Sequence, residues 1–275
     1  MPECIIQRLT PQGLQPVDYR AASLAEAARY EPDEGVYTVT NTYHTTQALK
    51  FDAHLDRLED SARRAGIPLQ LDRAALRAAL RQLITGAGWG NVRFRVTVPC
   101  QQPENLILSL EPFTPLTPDT YERGVRCVTL PGSARRDPGT KSTGWMHRRG
   151  EITLPAGIHE GLLVSDTGDI LEGTGSNFYA VLRGELRTAG AGMLPGIAQQ
   201  IVFAVAPPVL PVRHEAVNIK DRSRIEEAFL TSSSRGILPV VELDGRAIGD
   251  GTPGAFTRRL RAAYLDWVAA HLEEL

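Results

Sequence analysis

Lysine is almost missing from this chain. Its 30 basic residues include only Lys50, Lys141 and Lys220; the rest are arginines. Chemistry that needs a nucleophilic amine therefore has few places to reside. Cysteine is as sparse: Cys4, Cys100 and Cys127 are odd in number and far apart, which excludes a disulfide framework and a cysteine-based metal site. They read as buried or incidental thiols in a reducing cytoplasm. Net charge is close to absent, at −2, so composition makes no case for nucleic acid or an anionic membrane as partner. No apolar run approaches a membrane span, and no basic-then-apolar leader opens the chain. Repeats and low-complexity tracts are missing as well. The expectation is a cytoplasmic globular protein without a metal.

What is present is an ordinary core former. A chain of 275 residues with 42% hydrophobic content can bury one large core or two modest ones. Residues 1–33 are weakly patterned apart from a short helix capped by Ser23. Val36–Tyr43 reads as a strand and Asp52–Arg64 as a helix, with a second helix capped by Asp72 and closed by Gly86. Val92–Val98 alternates, with Val92, Phe94, Val96 and Val98 on one face and Arg93, Arg95 and Thr97 on the other. Asn105–Leu110 is its hairpin partner. Proline-rich Pro112–Asp119 reads as a linker, which divides the chain into residues 1–117 and 118–275. A polar segment around Lys141 follows, and an amphipathic helix carrying Phe256, Leu260, Tyr264, Trp267 and Val268 on one side closes the sequence. Mixed strands and helices in two segments imply an α+β or α/β two-domain enzyme.

The densest signal runs from Leu162 to Ile201. Apolar Leu162–Val164 leads through a Ser-Asp-Thr-Gly-Asp turn to Ile170 and Leu171, which deliver Glu172 into a Gly-Thr-Gly-Ser-Asn loop. Phe178–Leu182 is another strand, and Leu194-Pro195-Gly196 opens a helix at Ile197. A carboxylate beside small residues lets a ligand approach closely, and a glycine-led helix start offers unpaired N–H groups to an anion.

At these residues the chain resembles the class IV aminotransferases, pyridoxal-phosphate enzymes of fold type IV. The resemblance rests on Asp166-x-Gly168-x-x-x-Glu172-Gly173, Ser176-Asn177-Phe178 and Leu194-Pro195-Gly196-Ile197. Further matches are His54-Leu55-x-Arg57-Leu58-x-x-Ser61-Ala62, Glu227-x-Phe229 and Gly249-Asp250-Gly251. It implies a smaller N-terminal α/β domain, a larger domain with a barrel-like sheet, and a homodimer. It also implies catalysis by Lys141, as the Schiff-base lysine, and Glu172, facing the ring nitrogen of pyridoxal 5′-phosphate. Arg57, the N–H groups of Gly196, Ile197 and Ala198, and the hydroxyls of Ser232 and Ser233 then hold the phosphate, and Leu194 packs on the ring. The implied reaction is amino transfer between an amino acid and a 2-oxo acid, with pyruvate elimination of the aminodeoxychorismate lyase type as the alternative.

The chain departs from the family in places. Ala198 stands where a threonine is common, Asn41 where an arginine is, and the Arg-x-His carboxylate trap of the D-amino acid enzymes has no counterpart after Val98. A substrate carboxylate still needs charge-assisted partners, and bidentate arginine is the most effective. Arg235, just after the serines, is the first choice, with Arg93 and Arg95 as alternatives. Two other classes compete. Asp166-Thr167-Gly168 is the triplet of aspartic proteases, but Asp169 follows it and no second triplet exists. A non-catalytic relative that has lost the cofactor is the other, and retention of Lys141, Glu172 and Arg57 together argues against it.

Overall fold

In the computed structural model, which describes residues 4–275, the chain begins β1 (Ile5–Thr10), β2 (Gly13–Pro16), α1 (Leu24–Ala27), β3 (Gly35–Tyr43) and β4 (Gln47–Leu49). Next come α2 (Phe51–Arg64), α3 (Arg73–Ala87), β5 (Val92–Pro99), β6 (Leu106–Pro112), α4 (Pro118–Arg123), β7 (Val125–Leu130) and α5 (Thr143–Gly150). Then follow β8 (Glu160–Val164), β9 (Ile170–Gly173), β10 (Asn177–Leu182), β11 (Glu185–Arg187), α6 (Ile197–Val205) and β12 (Val212–Arg213). The last elements are β13 (Glu227–Ser232), β14 (Gly236–Leu243), β15 (Arg246–Ala247), α7 (Ala255–Ala270) and β16 (Leu272–Glu274). The chain folds as two units. The first is built from the chain up to Thr114, together with Thr140–Glu151 and His271–Leu275; the second takes Pro115–Gly139 and Ile152–Ala270. This division is not contiguous, unlike the split at residue 117 drawn from the proline-rich linker. Local pairing explains why. Val36 bridges to Ser142, and Tyr37 N–H donates to Lys141 O at 2.9 Å, which binds the lysine segment to β3. β16 pairs with β4 through Leu272 and Leu49.

The first unit is an antiparallel sheet of seven strands in the order β16-β4-β3-β5-β6-β1-β2. One face carries Val36, Val92, Phe94, Val96 and Val98, and packs on Leu55 and Leu58 of α2 and Leu76 and Leu80 of α3. α3 closes not at Gly86 but at Gly88, whose φ of 67° supplies the left-handed turn a helix stop requires. The β1–β2 hairpin escaped the sequence pattern because burial along its strands does not alternate: β1 buries only Ile6 and Thr10, and β2 passes from half-buried to exposed.

The opposite face of β5 is covered at two of its three polar positions. Arg95 and Thr97 are buried, and both turn to Glu31, whose carboxylate accepts from Arg95 Nε at 2.9 and 3.0 Å and from the Thr97 hydroxyl. Arg95 Nη1 also donates to Leu24 O at 3.0 Å, so the arginine pins the α1 segment to the sheet. Removing one member of such a pair strands the other in the interior. Arg95→Met should therefore lower stability by about 3 kcal/mol or more in a denaturant titration; a loss below about 1 kcal/mol would show the pair to be dispensable.

The second unit is a nine-stranded mixed sheet that curls as a half-barrel, with β12-β11-β10-β13-β14-β7-β8-β9 along its path and β15 paired to β14. Val125, Leu162, Ile170, Phe178, Leu230 and Val240 fill its core. The β8–β9 connection is the Ser165–Asp169 turn, closed by Gly168 N–H to Ser165 O at 3.0 Å with Gly168 at φ 91°. Asp166-Thr167-Gly168 is therefore a hairpin turn. α7 buries Thr257, Leu260, Tyr264 and Val268.

Candidate active site

In the first unit, α2 presents His54, Arg57 and Ser61 at helical spacing. A helix that buries Leu55 and Leu58 brings this neighbouring stripe against β3. Thr38 of β3 receives them: its hydroxyl pairs with His54 Nδ1 at 2.8 Å and accepts from Arg57 Nη2 at 3.4 Å. Burial drives His54 well below the usual histidine range, and the cations of Arg57 and Lys141 push the same way, so its ring is neutral. Burial also lowers Arg57 to about 10, against the Tyr37 hydroxyl, which leaves it protonated at neutral pH.

The backbone of Lys141 is pinned on both sides. Its N–H donates to Ser61 Oγ at 3.2 Å and its carbonyl accepts from Tyr37 N. The amine Nζ lies over the Tyr37 ring, 4.8 Å from its centroid. Directly after it, Ser142 caps α5 by accepting from Trp145 N, and Thr143 donates to Asp33 O at 3.0 Å. The polar sequence around Lys141 thus holds a helix that its composition did not announce. The other lysines sit elsewhere: Lys50 precedes α2 in a left-handed conformation, and Lys220 is exposed in a 3₁₀ turn, Ile219–Arg224.

In the second unit, Glu172 near the end of β9 is buried. Its Oε2 accepts from Leu194 N at 3.0 Å, and its Oε1 faces Arg135 Nη1 at 3.4 Å. Asn177 Nδ2 donates to Leu194 O at 2.8 Å, which fixes the turn ahead of α6 from the other side. Gly196 follows, where an added Cβ would stand 2.0 Å from Asn177 Oδ1, so only glycine fits beside the anchored amide. α6 then starts with Ile197 and Ala198 buried, and helix geometry leaves their N–H groups without an intrahelical acceptor.

The β13–β14 turn carries Ser232, Ser233, Ser234 and Arg235. Arg235 is held on several sides: Nε donates to Ser232 Oγ at 2.9 Å and Nη1 to Glu160 Oε2 at 3.0 Å, while Nη1 also meets His159 Nε2 at 2.9 Å. Burial works against the Glu160 carboxylate, yet Arg235, Gly175 N–H and the Ser176 hydroxyl outweigh it and hold it below the ordinary range. The guanidinium expected to receive a substrate thus braces two turns. Arg93 differs: its side chain is 43% exposed, and its carboxylate neighbour Glu111 is 3.8 Å away.

Sequence reasoning passed over Tyr37, Thr38, Arg135 and Glu160. The first two lie in a strand read only for its propensity. Arg135 precedes Lys141 by a few residues, and Glu160 opens an apolar run; neither spacing carries a motif. Among the described residues no group of three or more His, Cys, Asp or Glu is placed to hold a metal.

Each unit carries groups of the kind a phosphorylated pyridine aldehyde needs: the first an amine on a fixed backbone and a desolvated arginine, the second a buried carboxylate with both oxygens oriented and a helix start whose glycine packs against Asn177. A model of the amino-transferase class IV family matches residues 35–243. The chain belongs to the class IV aminotransferases. It is 29% identical over 237 residues to a Methanocaldococcus jannaschii protein provisionally named a branched-chain-amino-acid aminotransferase, covering 78% of this chain and 80% of that one. It is 26% identical over 271 residues to the D-alanine aminotransferase of Listeria monocytogenes serotype 4b, covering 90% and 91%. Among solved structures, a branched-chain amino acid aminotransferase from T.th., bound to pyridoxamine 5′-phosphate, superposes with a TM-score of 0.78 at 20% identity, over 98% of each chain. The Escherichia coli branched-chain enzyme gives 0.77 at 19% identity, over 99% of each. This class IV aminotransferase is a pyridoxal-phosphate-dependent transaminase with the two-sheet fold of its class.

Proposed function

We propose that this class IV aminotransferase moves an amino group between an amino acid and a 2-oxo acid with Lys141 as the amine that attaches the cofactor. The observation that carries this reading is Lys141 itself, whose backbone is fixed at both ends while Nζ lies over Tyr37. Bound pyridoxal phosphate supplies an electrophilic carbon and a ring that accepts the electron pair left at the substrate Cα. With the cofactor bound, the Lys141 amine would be the base that takes the proton from the substrate Cα and holds it for return. Glu172 holds the proton of the ring nitrogen. Arg57 supplies the cation for the phosphate, the N–H groups of Gly196, Ile197 and Ala198 and the hydroxyls of Ser232 and Ser233 its hydrogen bonds, and Leu194 a surface for the ring. The neutral ring of His54 supports Arg57 through Thr38 without adding a competing charge.

For the substrate carboxylate the reading moves from Arg235 to Arg93. Arg95 is buried against Glu31 and Arg235 is held by Glu160 at 3.0 Å; Arg93 is 43% exposed, with Glu111 at 3.8 Å, and lies on the sheet face of Tyr37, opposite Asn41 in register. Arg93→Leu should raise the KM for amino and oxo acids about tenfold to a hundredfold, the loss of one charged hydrogen-bond pair, with the cofactor spectrum unchanged. An unaltered KM would remove Arg93 from this role. The family likeness also supports a homodimer, tested by sedimentation, and a cytoplasmic location.

The decisive experiment is a single-turnover screen of L- and D-amino acids on the cofactor-loaded protein. A substrate should discharge the near-visible cofactor band and leave a stoichiometric 2-oxo acid, and an added oxo acid should restore the band. Release of pyruvate from an aminodeoxychorismate-type substrate without any amino transfer would overturn the reading.

A further inference from the structure

Arg135 and Glu172 are almost fully buried, their side chains 4% and 5% exposed. Arg135 Nη1 stands 3.4 Å from Glu172 Oε1, and Leu194 N–H donates to Oε2 at 3.0 Å. The two oxygens are thus held from different parts of the chain, one by the loop after β7 and the other by the backbone ahead of α6. The guanidinium is itself oriented, because Nη2 donates to Asp137 O at 3.4 Å.

A carboxylate taken out of water reverts toward its neutral form unless a positive charge accompanies it. Arginine is the cation suited to that place, since it stays charged when buried and presents a planar fork. A neutral Glu172 would offer a hydrogen bond but no charge, and a mobile one would offer the charge in no fixed direction.

We infer that Arg135 is a positioning residue for Glu172, keeping the carboxylate charged and fixing the direction in which it acts. Its consequence for turnover rests on the reading of Glu172 as the partner of the ring nitrogen.

The test compares R135Q, which keeps a hydrogen-bonding side chain but no charge, with R135K, which keeps the charge. Infrared spectra of the cofactor-free proteins at neutral pH come first. R135Q should gain a protonated-carboxyl band that wild type and R135K lack, and the band should vanish in R135Q/E172Q. In the cofactor-loaded enzymes, kcat of R135Q should fall about tenfold to a hundredfold with KM unchanged, and R135K should retain most of it. Adding E172Q to R135Q should lower kcat no further, because both changes act on one charge. If R135Q does not fold, as judged by circular dichroism, R135M takes its place. No carboxyl band in the neutral variants, or equal losses in R135Q and R135K, would overturn the inference. A band in R135Q with near wild-type turnover in E172Q would sustain the counter-charge and remove the ring-nitrogen role instead.

Discussion

Replacing Lys141 with alanine should give a folded protein that has lost covalently attached cofactor and about a thousandfold or more of its activity. The fold should survive because the two hydrogen bonds that pin this residue, to Ser61 Oγ and from Tyr37 N, belong to its backbone, which alanine retains. The chemistry should not survive, because no other amine is suitably placed. Lys50 is committed to the left-handed turn before α2, and Lys220 is exposed in a 3₁₀ turn. Loss of the near-visible band and unchanged circular dichroism would together establish the assignment. Borohydride reduction of the wild type followed by peptide mapping provides the counter-test: a label on Lys50 or Lys220 would show that the wrong lysine has been chosen.

The second large effect is expected from Glu172→Gln. Glutamine can still accept the Leu194 N–H, so the turn ahead of α6 should hold and cofactor should still bind. What disappears is the negative charge opposite a protonated ring nitrogen, and with it the electron sink for the substrate Cα. Loss of a comparable preorganised electrostatic contact lowers kcat by about a hundredfold to a thousandfold. Steady-state kinetics with equilibrium dialysis of the cofactor separates the two effects. Wild-type turnover in the variant would end the role assigned to Glu172.

Motif and fold were legible in the sequence to different depths. The order of Lys141, Glu172 and Gly196 could be read because each sits in a local context that chemistry restricts: a scarce amine, an acid after an apolar strand, a glycine before a helix. Ser61 was legible only as a member of a motif; that its hydroxyl meets Lys141 N depends on a chain reversal covering 80 residues, which no local pattern encodes. The surroundings of Arg95 were hidden for a related reason. Alternation separates the two faces of β5 but does not say that both are covered, and its partner Glu31 lies 64 residues away. For Arg235 the sequence offered proximity to Ser233, but not the ion pair with Glu160, which comes from an earlier strand. Positions set by short-range rules were readable, and pairings closed by tertiary approach were not.

The interleaving of the two units also bears on how the chain is made. A ribosome delivers residues in order, yet the first sheet takes its edge strand from His271–Leu275 and its lysine segment from Thr140–Glu151. The strands up to β6 can pair as they emerge, but the sheet stays incomplete while the intervening residues of the second unit are synthesised. For that interval β4 is an unprotected edge, open to pairing with another nascent chain. Folding of the first unit therefore finishes late in synthesis, although most of its residues are made first. A pause in translation between these segments should increase aggregation rather than relieve it.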